Sequence, residues 1–355
     1  LNISMEYPSL DTAKAGAIRF NTDSSQMEIY DGNQWTGILA TSAHLHTGAT
    51  RGIFGGGFTQ SGNANRDVIE FFNVDTTGNC ADFGNLTSSR RQQGQAGADR
   101  TRGVFMGGRA SPANRDVIDF ITIASTGDAT DFGNLTGGGG SNGGTASNST
   151  RSVFHSGQRG STGTTKLNTI DYIIIQSTGD AVDFGDATVA RITQTGGLNS
   201  PTRGCFAGGY SPTQLNTIDF ITFATQGDAA DFGDLTHTVR RPGGGSNAIR
   251  GIIMGGNNYD SAHIGLNNID FITIATLGNS IDFGDMVSAD SADTCACAAS
   301  RTRAAYHRTD TGTGLQTNTM DFVQIMTTGN AVDFGDTNTS DIWGRGGLSN
   351  GHGGL

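Results

Sequence analysis

Residues 102–136 read RGVFMGGRASPANRDVIDFITIASTGDATDFGNLT, and related copies of this stretch recur along the chain. The triplet Asp-Phe-Gly marks each copy and begins at six positions, with spacings of 48 to 52 residues: Asp82, Asp131, Asp183, Asp231, Asp282 and Asp333. A period near fifty residues indicates an array of one structural unit, because a unit of that size cannot bury both of its faces alone and must stack on its neighbours.

Each copy contains the pattern of four short strands. Arg102–Met106 precedes a Gly pair, and Val117–Ala124 is almost continuously apolar and β-branched, as in a strand buried on both faces. Residues 125–128 (STGD) predict a tight turn into a strand over Ala129–Phe132, and a Gly-rich stretch before the Arg, such as QQGQAGAD before Arg102, supplies the remaining strand, which is the first of the four. We therefore expect an all-β fold, a six-bladed β-propeller of four-stranded antiparallel blades.

The two ends of the repeat array leave a seven-bladed ring open as an alternative. HLHTGAT precedes the first copy at residues 44–50, and IWGRGGLSNGHGGL follows the last at 342–355. Either segment could complete a shared closing blade, while the other is surplus or starts a seventh. The sequence divides into residues 1–40, a small N-terminal β-hairpin extension that serves attachment, and residues 41–355, the propeller.

Composition narrows the function classes. Aspartate is abundant at thirty residues, whereas glutamate occurs three times and lysine twice, which disfavours helices and favours turns. The formal charge is −11 and the arginines are dispersed, so nucleic acid is not an expected partner. No apolar run of 18 residues predicts a membrane span. Because residue 1 is Leu, we expect the chain to be part of a longer polypeptide.

The four cysteines predict small buried residues rather than a disulfide scaffold. Cys80 takes the place of Ala129 in the next copy, and Cys205 takes that of Val104. Cys295 and Cys297 lie two apart on a predicted strand, and no second cysteine pair completes a zinc set. No metal or cofactor is expected.

Other candidate chemistry has weak support in the sequence. The kinase elements that accompany a functional Asp-Phe-Gly are absent, and its sixfold recurrence favours a structural role, with Phe packing between blades and Asp capping a turn. Clusters such as Asp180, Asp183 and Asp186 lack the Gly and Glu of an EF-hand loop. His44 and His46 have no third ligand in view. Because the carboxylates recur by repeat position, whereas catalysis needs singular residues, we do not expect an enzyme.

The parity of an antiparallel sheet separates the connections into two groups. Those from the first to the second strand and from the third to the fourth are nearly constant, whereas those after each Gly pair, such as RASPANRD and YSPTQLNT, vary. Variation on one face predicts a binding face on a fixed scaffold, although drift in unconstrained loops gives the same pattern. The candidate receptor-binding residues are the aromatic, Arg and His residues of the variable loops: Phe58, Arg109, Arg159, Tyr210, Tyr259, His263 and Arg308.

Two motifs resemble those of bacteriophage proteins. The frame R-G-[VIC]-F-x-G-G, [TVN]-I-D-[FY]-I-x-[IF] and D-F-G-[ND]-L-T, over residues 43–355, resembles kelch-like repeats of tail-fibre and appendage proteins, especially of marine bacteriophages, without the paired Tyr and Trp of ordinary kelch blades. Residues 16–35, GAIRFNTDSSQMEIYDGNQW, resemble a hairpin element, Gly-x-[IL]-Arg-[FY]-Asn-Thr-Asp followed by Tyr-Asp-Gly-x-x-Trp, that is common in phage fibres. The matching residues are Gly16, Arg19, Asn21, Thr22, Asp23, Tyr30, Asp31, Gly32 and Trp35.

The resemblance implies a non-enzymatic virion protein, assembled in the host cytoplasm and displayed on the virion surface. We expect a tail fibre or appendage whose propeller face binds a host cell-surface receptor, a glycan or a protein. Residues 1–40 would attach it to other virion or tail subunits or form a homotrimer. The alternatives are a structural decoration or connector protein that binds only virion subunits, and a polysaccharide-degrading enzyme on the same fold.

Overall fold

The computed structural model describes residues 14–21, 26–37, 50–59, 61–91, 96–110, 113–159, 165–193, 197–258, 264–288, 296–308 and 317–355. The chain divides into two compact units, Leu1–Gly48 and Ala49–Leu355. Within the described residues the regular structure is β, apart from one 3₁₀ turn at Thr136–Gly138. The expected all-β class is confirmed.

The first unit contains one antiparallel sheet of three strands: β1 (Ile18–Asn21), β2 (Gln26–Tyr30) and β3 (Trp35–Gly37). Arg19 lies 2.7 Å from Glu28 and its guanidinium lies 4.3 Å from the Trp35 ring centroid, while Tyr30 packs on Trp35. The Asp31 carboxylate accepts the backbone N–H groups of the β2–β3 turn, so these bonds lower its pKa. The motif residues therefore build the hairpin itself.

The second unit contains six main sheets, numbered by repeat. Sheet 1 contains β4 (Arg51–Thr59), β5 (Ala64–Asn73) and β6 (Ala81–Asn85). Sheet 2 contains β7 (Ala96–Ala98), β8 (Arg102–Met106), β11 (Val117–Thr122) and β12 (Thr130–Asn134), with β9 (Arg109–Ala110) and β10 (Ala113–Asn114) as a separate ribbon. Sheet 3 contains β13 (Thr145–Ser147), β14 (Arg151–His155), β17 (Thr169–Ile174) and β18 (Val182–Asp186), with the ribbon β15 (Gln158–Arg159) and β16 (Thr165–Lys166).

The remaining sheets have the same order. Sheet 4 contains β19 (Leu198–Asn199), β20 (Arg203–Tyr210), β21 (Gln214–Thr222) and β22 (Ala230–Val239). Sheet 5 contains β23 (Gly243–Ser246), β24 (Arg250–Met254), β27 (Asn268–Thr273) and β28 (Ile281–Asp285), with the ribbon β25 (Asn257–Asn258) and β26 (Ile264–Gly265). Sheet 6 contains β29 (Ala296–Ala299), β30 (Arg303–His307), β31 (Thr319–Gln324) and β32 (Val332–Asp336). The order within each sheet is the predicted one, antiparallel throughout.

The C-terminal segment completes sheet 1. β33 (Ile342–Trp343) and β34 (Gly346–Ser349) both pair antiparallel with β4, and β34 takes the place that β7 takes in sheet 2. Of the two terminal segments considered in the sequence, 342–355 supplies strands to sheet 1. Most of HLHTGAT lies outside the described residues.

Apolar clusters join each sheet to the next. Phe105 of sheet 2 packs with Ile53 of sheet 1, and Phe154 of sheet 3 packs with Val104 of sheet 2. Three further clusters continue the series to sheet 6, and another brings Phe334 of sheet 6 to sheet 1. The predicted packing of the Asp-Phe-Gly phenylalanines between sheets is thereby confirmed.

The Asp-Phe-Gly triplet also clasps the following sheet through backbone bonds. Gly127 N–H donates to the Phe83 carbonyl at 2.7 Å, and the Asp128 carboxylate accepts the Asn85 N–H at 2.9 Å. The same two bonds recur between later sheets and from sheet 6 to sheet 1, where Gly78 N–H donates to the Phe334 carbonyl and Asn79 Oδ1 accepts the Asp336 N–H. The capping side chain is thus the residue that follows the turn glycine, whereas the aspartates of the triplets are exposed.

Candidate functional site

The variable connections differ in their local structure as well as in sequence. In sheets 1 and 4 the two strands that flank the Gly pair extend into one continuous hairpin, β4–β5 and β20–β21. In sheets 2, 3 and 5 the ladder is interrupted and a two-stranded ribbon follows. At Gly57 and Gly209 the backbone has φ values of 126° and 128°, and an added Cβ would lie 2.6 Å from Ile342 or 2.4 Å from the Ile192 carbonyl. Glycine is therefore required at both positions, because of the positive φ and the close neighbours.

The described candidates are spread over five repeats. Phe58 and Tyr210 follow equivalent Gly pairs in copies 1 and 4, Arg109 and Arg159 lie on the ribbons of copies 2 and 3, and Arg308 lies at the end of the second strand of copy 6. Tyr259 and His263 lie outside the described residues.

Phe58 is part of a packed cluster. Its side chain is 7% exposed, Trp343 meets it edge-on at 5.4 Å, and the Arg91 guanidinium lies 3.8 Å from its ring centroid. Arg91 also lies 4.7 Å from the Trp343 centroid and donates to Asn65 Oδ1. This arrangement fixes the β4–β5 hairpin and leaves little of the Phe58 ring for a ligand.

Tyr210 stands in the equivalent position but remains half-buried. Lys166 Nζ lies 4.7 Å from its ring centroid, and the Arg240 guanidinium carbon lies 5.1 Å from it. The backbone of Tyr210 exchanges two hydrogen bonds with Ile192, so the ring projects from a fixed strand end. Cations near an aromatic ring interact with its quadrupole, and each such contact contributes about 0.5–1 kcal/mol at an exposed site.

Arg109, Arg159 and Arg308 have different surroundings. Arg109 is half-buried and its backbone forms a bridge to Arg91, while the Arg159 Nε donates to the Gly139 carbonyl at 3.3 Å. The Arg308 Nε lies 2.8 Å from the buried carboxylate of Asp321. Arg308 therefore acts mainly as the counter-ion of a core carboxylate.

Sequence reasoning missed Lys166, Arg240, Arg91 and Trp343 as neighbours of the candidate aromatic rings. Arg91 and Arg240 occupy equivalent places, because each forms an antiparallel bridge to the strand that follows a Gly pair in the next copy. The doublets Arg90-Arg91 and Arg240-Arg241 are visible in the sequence. The contacts of Arg91 and Arg240 are not visible in the sequence, since the rings they contact, Phe58 and Tyr210, lie about thirty positions earlier in the chain.

Each repeat also carries a buried carboxylate beneath the variable connections. The six residues occupy one repeat position, the acid between Ile or Met and Phe or Tyr: Glu70, Asp119, Asp171, Asp219, Asp270 and Asp321. A hydroxyl from the preceding repeat donates to most of them, as Thr87 Oγ1 does to Asp119 at 2.6 Å and Thr136 Oγ1 does to Asp171 at 2.7 Å. The carboxylates thereby tie one sheet to the next at the base of the loops.

Three of these carboxylates have a fully buried arginine as partner. Arg90 pairs with Asp119 at 2.8 Å, Arg191 with Asp219 at 2.7 Å and Arg345 with Glu70 at 2.9 Å. In Arg191 the guanidinium also donates to the carbonyls of Gly208 and Phe206. A buried ion pair needs such additional bonds, because desolvation otherwise offsets its Coulombic attraction.

Asp321 differs from the other five. The position held by Thr87 and Thr136 is Val287 in copy 5, which cannot donate a hydrogen bond. Burial raises the pKa of Asp321 to about 6, although Arg308 opposes that shift. Burial also raises the pKa of Asp171, against the bonds from Thr136. The raised pKa values of Asp321 and Asp171 show that burying these carboxylates costs stability. They do not indicate a catalytic acid–base pair, since each carboxylate is buried under a different loop.

The first strands of the six sheets line a narrow channel. β7, β13, β19, β23, β29 and β34 contact one another in succession, and β34 contacts β7. Gly, Ala and Ser dominate the lining, with Cys297 and His352 among the larger residues. Where these strands end, His352 Nε2 lies 2.7 Å from the Ala98 carbonyl and Gly353 N–H donates to the Ser246 carbonyl. Residues 351–355 therefore fill that end of the channel.

The cysteine predictions can be compared with three residues. Cys80 and Cys205 are buried in inter-sheet clusters, as expected, and Cys297 lines the channel. Burial raises the pKa of both the Cys80 and Cys205 thiols to about 12, which disfavours the reactive thiolate. Cys295 lies outside the described residues.

Within the described ranges, no group of three or more His, Cys, Asp or Glu side chains is arranged to hold a metal ion. Asp180 instead caps the Asn134 N–H at 2.9 Å. The search for membrane-spanning helices in the same ranges found none that is long and apolar enough. Comparison with protein-family models and with curated proteins found no match to the chain.

Proposed function

We propose that the six sheets of residues 49–355 form a six-bladed β-propeller. The hydrogen bonds from Gly78 and to Asn79, together with the Phe334 cluster, connect sheet 6 to sheet 1 as neighbouring sheets are connected elsewhere. The hydrogen-bonded pairing of β34 with β4 places strands from both ends of the repeat array in one sheet, an arrangement that would close such a ring. This support favours six blades over seven.

We further propose that the protein is a bacteriophage tail-fibre or appendage protein whose variable face binds a host-surface receptor, a glycan, during adsorption. The observation that carries the proposal is the half-buried Tyr210 with Lys166 and Arg240 at the ends of variable connections. An aromatic ring flanked by polar donors suits sugar recognition, because it offers an apolar face and directional hydrogen bonds together. The repeat and hairpin resemblances support the virion assignment.

A cell-binding assay with the purified full chain tests this function. Fluorescent protein should bind cells of a susceptible host, and polysaccharide extracted from those cells should compete. Electron microscopy of the particle should show the variable connections facing outward. Absence of cell binding, with those connections covered by neighbouring subunits, would instead support a connector protein. Shortened polysaccharide chains after incubation would support the enzyme alternative.

We propose that the N-terminal unit mediates homotrimer formation or attachment to another virion subunit. Ile18 pairs with Ile29 and Phe20 pairs with Met27, and these four side chains lie on one face of the three-stranded sheet with exposures of 37–58%. A sheet this small rarely holds together with one apolar face in water. Burial against a partner would remove that cost.

Substitution of the apolar face separates attachment from folding of the second unit. The double variant Phe20→Ser/Ile29→Ser should yield a smaller species in light scattering, or particles that lack the protein. Lys14→Gln, outside the sheet, is the control and should leave both unchanged. Normal assembly of the double variant and normal incorporation after deletion of residues 1–40 would together refute this proposal.

A further inference from the structure

The two sets of connections in the second unit differ in their balance of charged residues. In the described part of the variable connections, cations outnumber carboxylates, and the cations other than the partners of the core carboxylates are Arg66, Arg91, Arg109, Arg115, Arg159, Lys166, Arg240 and Arg241. In the constant connections, carboxylates outnumber cations, with Asp75, Asp99, Asp128, Asp180 and Asp228 opposing Arg100 and Arg301. A face rich in cations on a chain of net charge −11 attracts polyanions locally.

The Tyr210 cluster is the place on that face where two cations and a partly accessible ring meet. Lys166 comes from copy 3, and Tyr210 and Arg240 come from copy 4 and its exit. Lys166 is the single lysine of residues 49–355, and it lies within 4.7 Å of the Tyr210 ring centroid. Lys166 and Arg240 lie 4.7 Å and 5.1 Å from the same ring centroid, so an anionic group beside that ring lies within roughly one Debye length of both charges.

The backbone next to Arg240 is strained. Arg241 has a φ of 60°, which non-glycine residues adopt rarely, and Pro242 follows it. Gly256 of the next copy packs against this turn, since a Cβ there would lie 2.7 Å from the Arg240 carbonyl. Strain of this kind costs on the order of 1–3 kcal/mol and is concentrated at functional sites. Here the strained residue follows directly after Arg240, the arginine that contacts the Tyr210 ring.

Copy 1 provides an internal comparison for the same position. Phe58 is closed off by Arg91 and Trp343, whereas Tyr210 has no indole above it and keeps a hydroxyl that can hydrogen-bond. The packing role that explains Arg91 on Phe58 does not explain a second cation, Lys166, at Tyr210. A ligand that carries both an apolar ring face and a negative charge satisfies all three groups.

We infer that Lys166, Tyr210 and Arg240 form a subsite for an acidic saccharide, a sugar residue with a carboxylate or sulfate group. The sugar ring packs against the Tyr210 side chain, and its anionic group lies between the lysine and arginine. This inference deepens the proposed receptor binding and rests on it for the biological source of the ligand. The subsite itself is testable without a host cell.

Binding of the purified full chain to defined polysaccharides tests the subsite. Polygalacturonate supplies carboxylates, dextran sulfate supplies sulfates, and unsubstituted dextran is the neutral control. We expect binding to one or both polyanions and not to dextran, and the preferred polymer identifies the anionic group. Tyr210→Ala should weaken binding about tenfold or more, and Lys166→Gln and Arg240→Gln should each weaken it by about three- to tenfold.

Matched variants separate a subsite from a general electrostatic effect. Tyr210→Phe keeps the ring and should retain most of the binding, while Arg115→Gln removes an exposed cation from another repeat and should change affinity less than twofold. Equal losses for Arg115→Gln and Arg240→Gln would overturn the subsite. Thermal unfolding of each variant checks its fold. If Arg240→Gln is destabilised, Lys166→Gln, whose residue lies on a short ribbon, replaces it in the comparison with Arg115→Gln.

The cell-binding assay distinguishes the two proposals. If the chain binds host cells but neither polyanion, and Tyr210→Ala binds those cells normally, the acidic subsite is wrong and receptor binding stands. If Tyr210-dependent binding to a polyanion is measured while host cells are not bound, the subsite stands and the adsorption function is wrong.

Discussion

At the scale of single residues, the repeats act as internal controls for one another. The same position is Thr87 in copy 1 and Thr136 in copy 2 but Val287 in copy 5. The two threonines each donate a hydrogen bond to the buried carboxylate of the next repeat, whereas the valine has no donor. Another position is Met106 in copy 2 but His155 in copy 3. Such exceptions locate the weak points of the fold, because the remaining copies show what the position otherwise provides.

Val287→Thr should restore the missing donor to Asp321. An Asp whose pKa is raised on folding stabilises the protein below its ordinary pKa of 3.8 and loses that contribution as pH rises through about 6. The new hydroxyl should lower the pKa of Asp321, so the stability gain should be larger at pH 7.5 than at pH 4.5, by about 1–3 kcal/mol at the higher pH.

Thr136→Val is the reverse substitution and should destabilise the protein, more at pH 7.5 than at pH 4.5. Urea unfolding at both pH values measures the two variants. A gain for Val287→Thr that does not depend on pH would show that the hydroxyl acts elsewhere than on the Asp321 charge.

His155→Met should make the protein more resistant to acid. Burial, with a smaller contribution from the Arg191 charge, lowers the pKa of His155 to about 3. The unfolded chain takes up a proton near pH 6.5, so stability falls as pH decreases from 6.5 towards 3. Methionine occupies this position in copies 2 and 5 as Met106 and Met254, so it should pack without a large change.

The stability difference between His155→Met and the parent protein should therefore grow on acidification, reaching on the order of a few kcal/mol near pH 4. Chemical unfolding followed by fluorescence at pH 7 and pH 4 measures it. Parallel curves at the two pH values would contradict the buried neutral histidine.

At the scale of elements, the close approach of one sheet to the next depends on the glycine of each Asp-Phe-Gly triplet. A Cβ at Gly133 would lie 2.3 Å from the Gly179 carbonyl oxygen of the next sheet. The phenylalanine role was predictable from its periodic occurrence. The main constraint on the glycine, contact with the backbone of the next sheet, is visible only in the structure.

Gly133→Ala should destabilise the protein more than Gly179→Ala. Both glycines have nearly the same φ, 149° and 152°, but a Cβ at Gly179 meets nothing within 4 Å. The matched pair therefore isolates the steric effect from backbone strain, and we expect a further loss of about 1–3 kcal/mol for Gly133→Ala. Equal thermal shifts for the two variants would show that the sheets separate freely.

At the scale of the whole molecule, the C-terminal residues have two roles that no repeat predicts. β34 completes sheet 1, and residues 351–355 occupy one end of the channel. His352 is held by the Ala98 carbonyl and by Ser147 Oγ, and its burial lowers its pKa to about 4. The segment thereby joins first strands from several repeats.

Deletion of residues 351–355 should lower the thermal midpoint while preserving the β-sheet signal in circular dichroism. The expected loss is on the order of 2–4 kcal/mol, from the His352 and Gly353 hydrogen bonds and the buried chain. Deletion from residue 346, which also removes β34, should prevent cooperative folding. If the shorter deletion leaves unfolding unchanged, the tail does not stabilise the channel end.

The sequence alone determined the repeat unit, its strand order and the division between constant and variable connections, because these follow from local periodicity and turn chemistry in the six Asp-Phe-Gly copies. Only the tertiary structure decided which candidates differ in accessibility: Phe58 and Tyr210 have the same place in the repeat, yet Trp343 covers one and Lys166 flanks the other. It also decided that 342–355 supplies the strands that complete sheet 1. These outcomes depend on contacts between residues distant in sequence, whose packing no local pattern encodes.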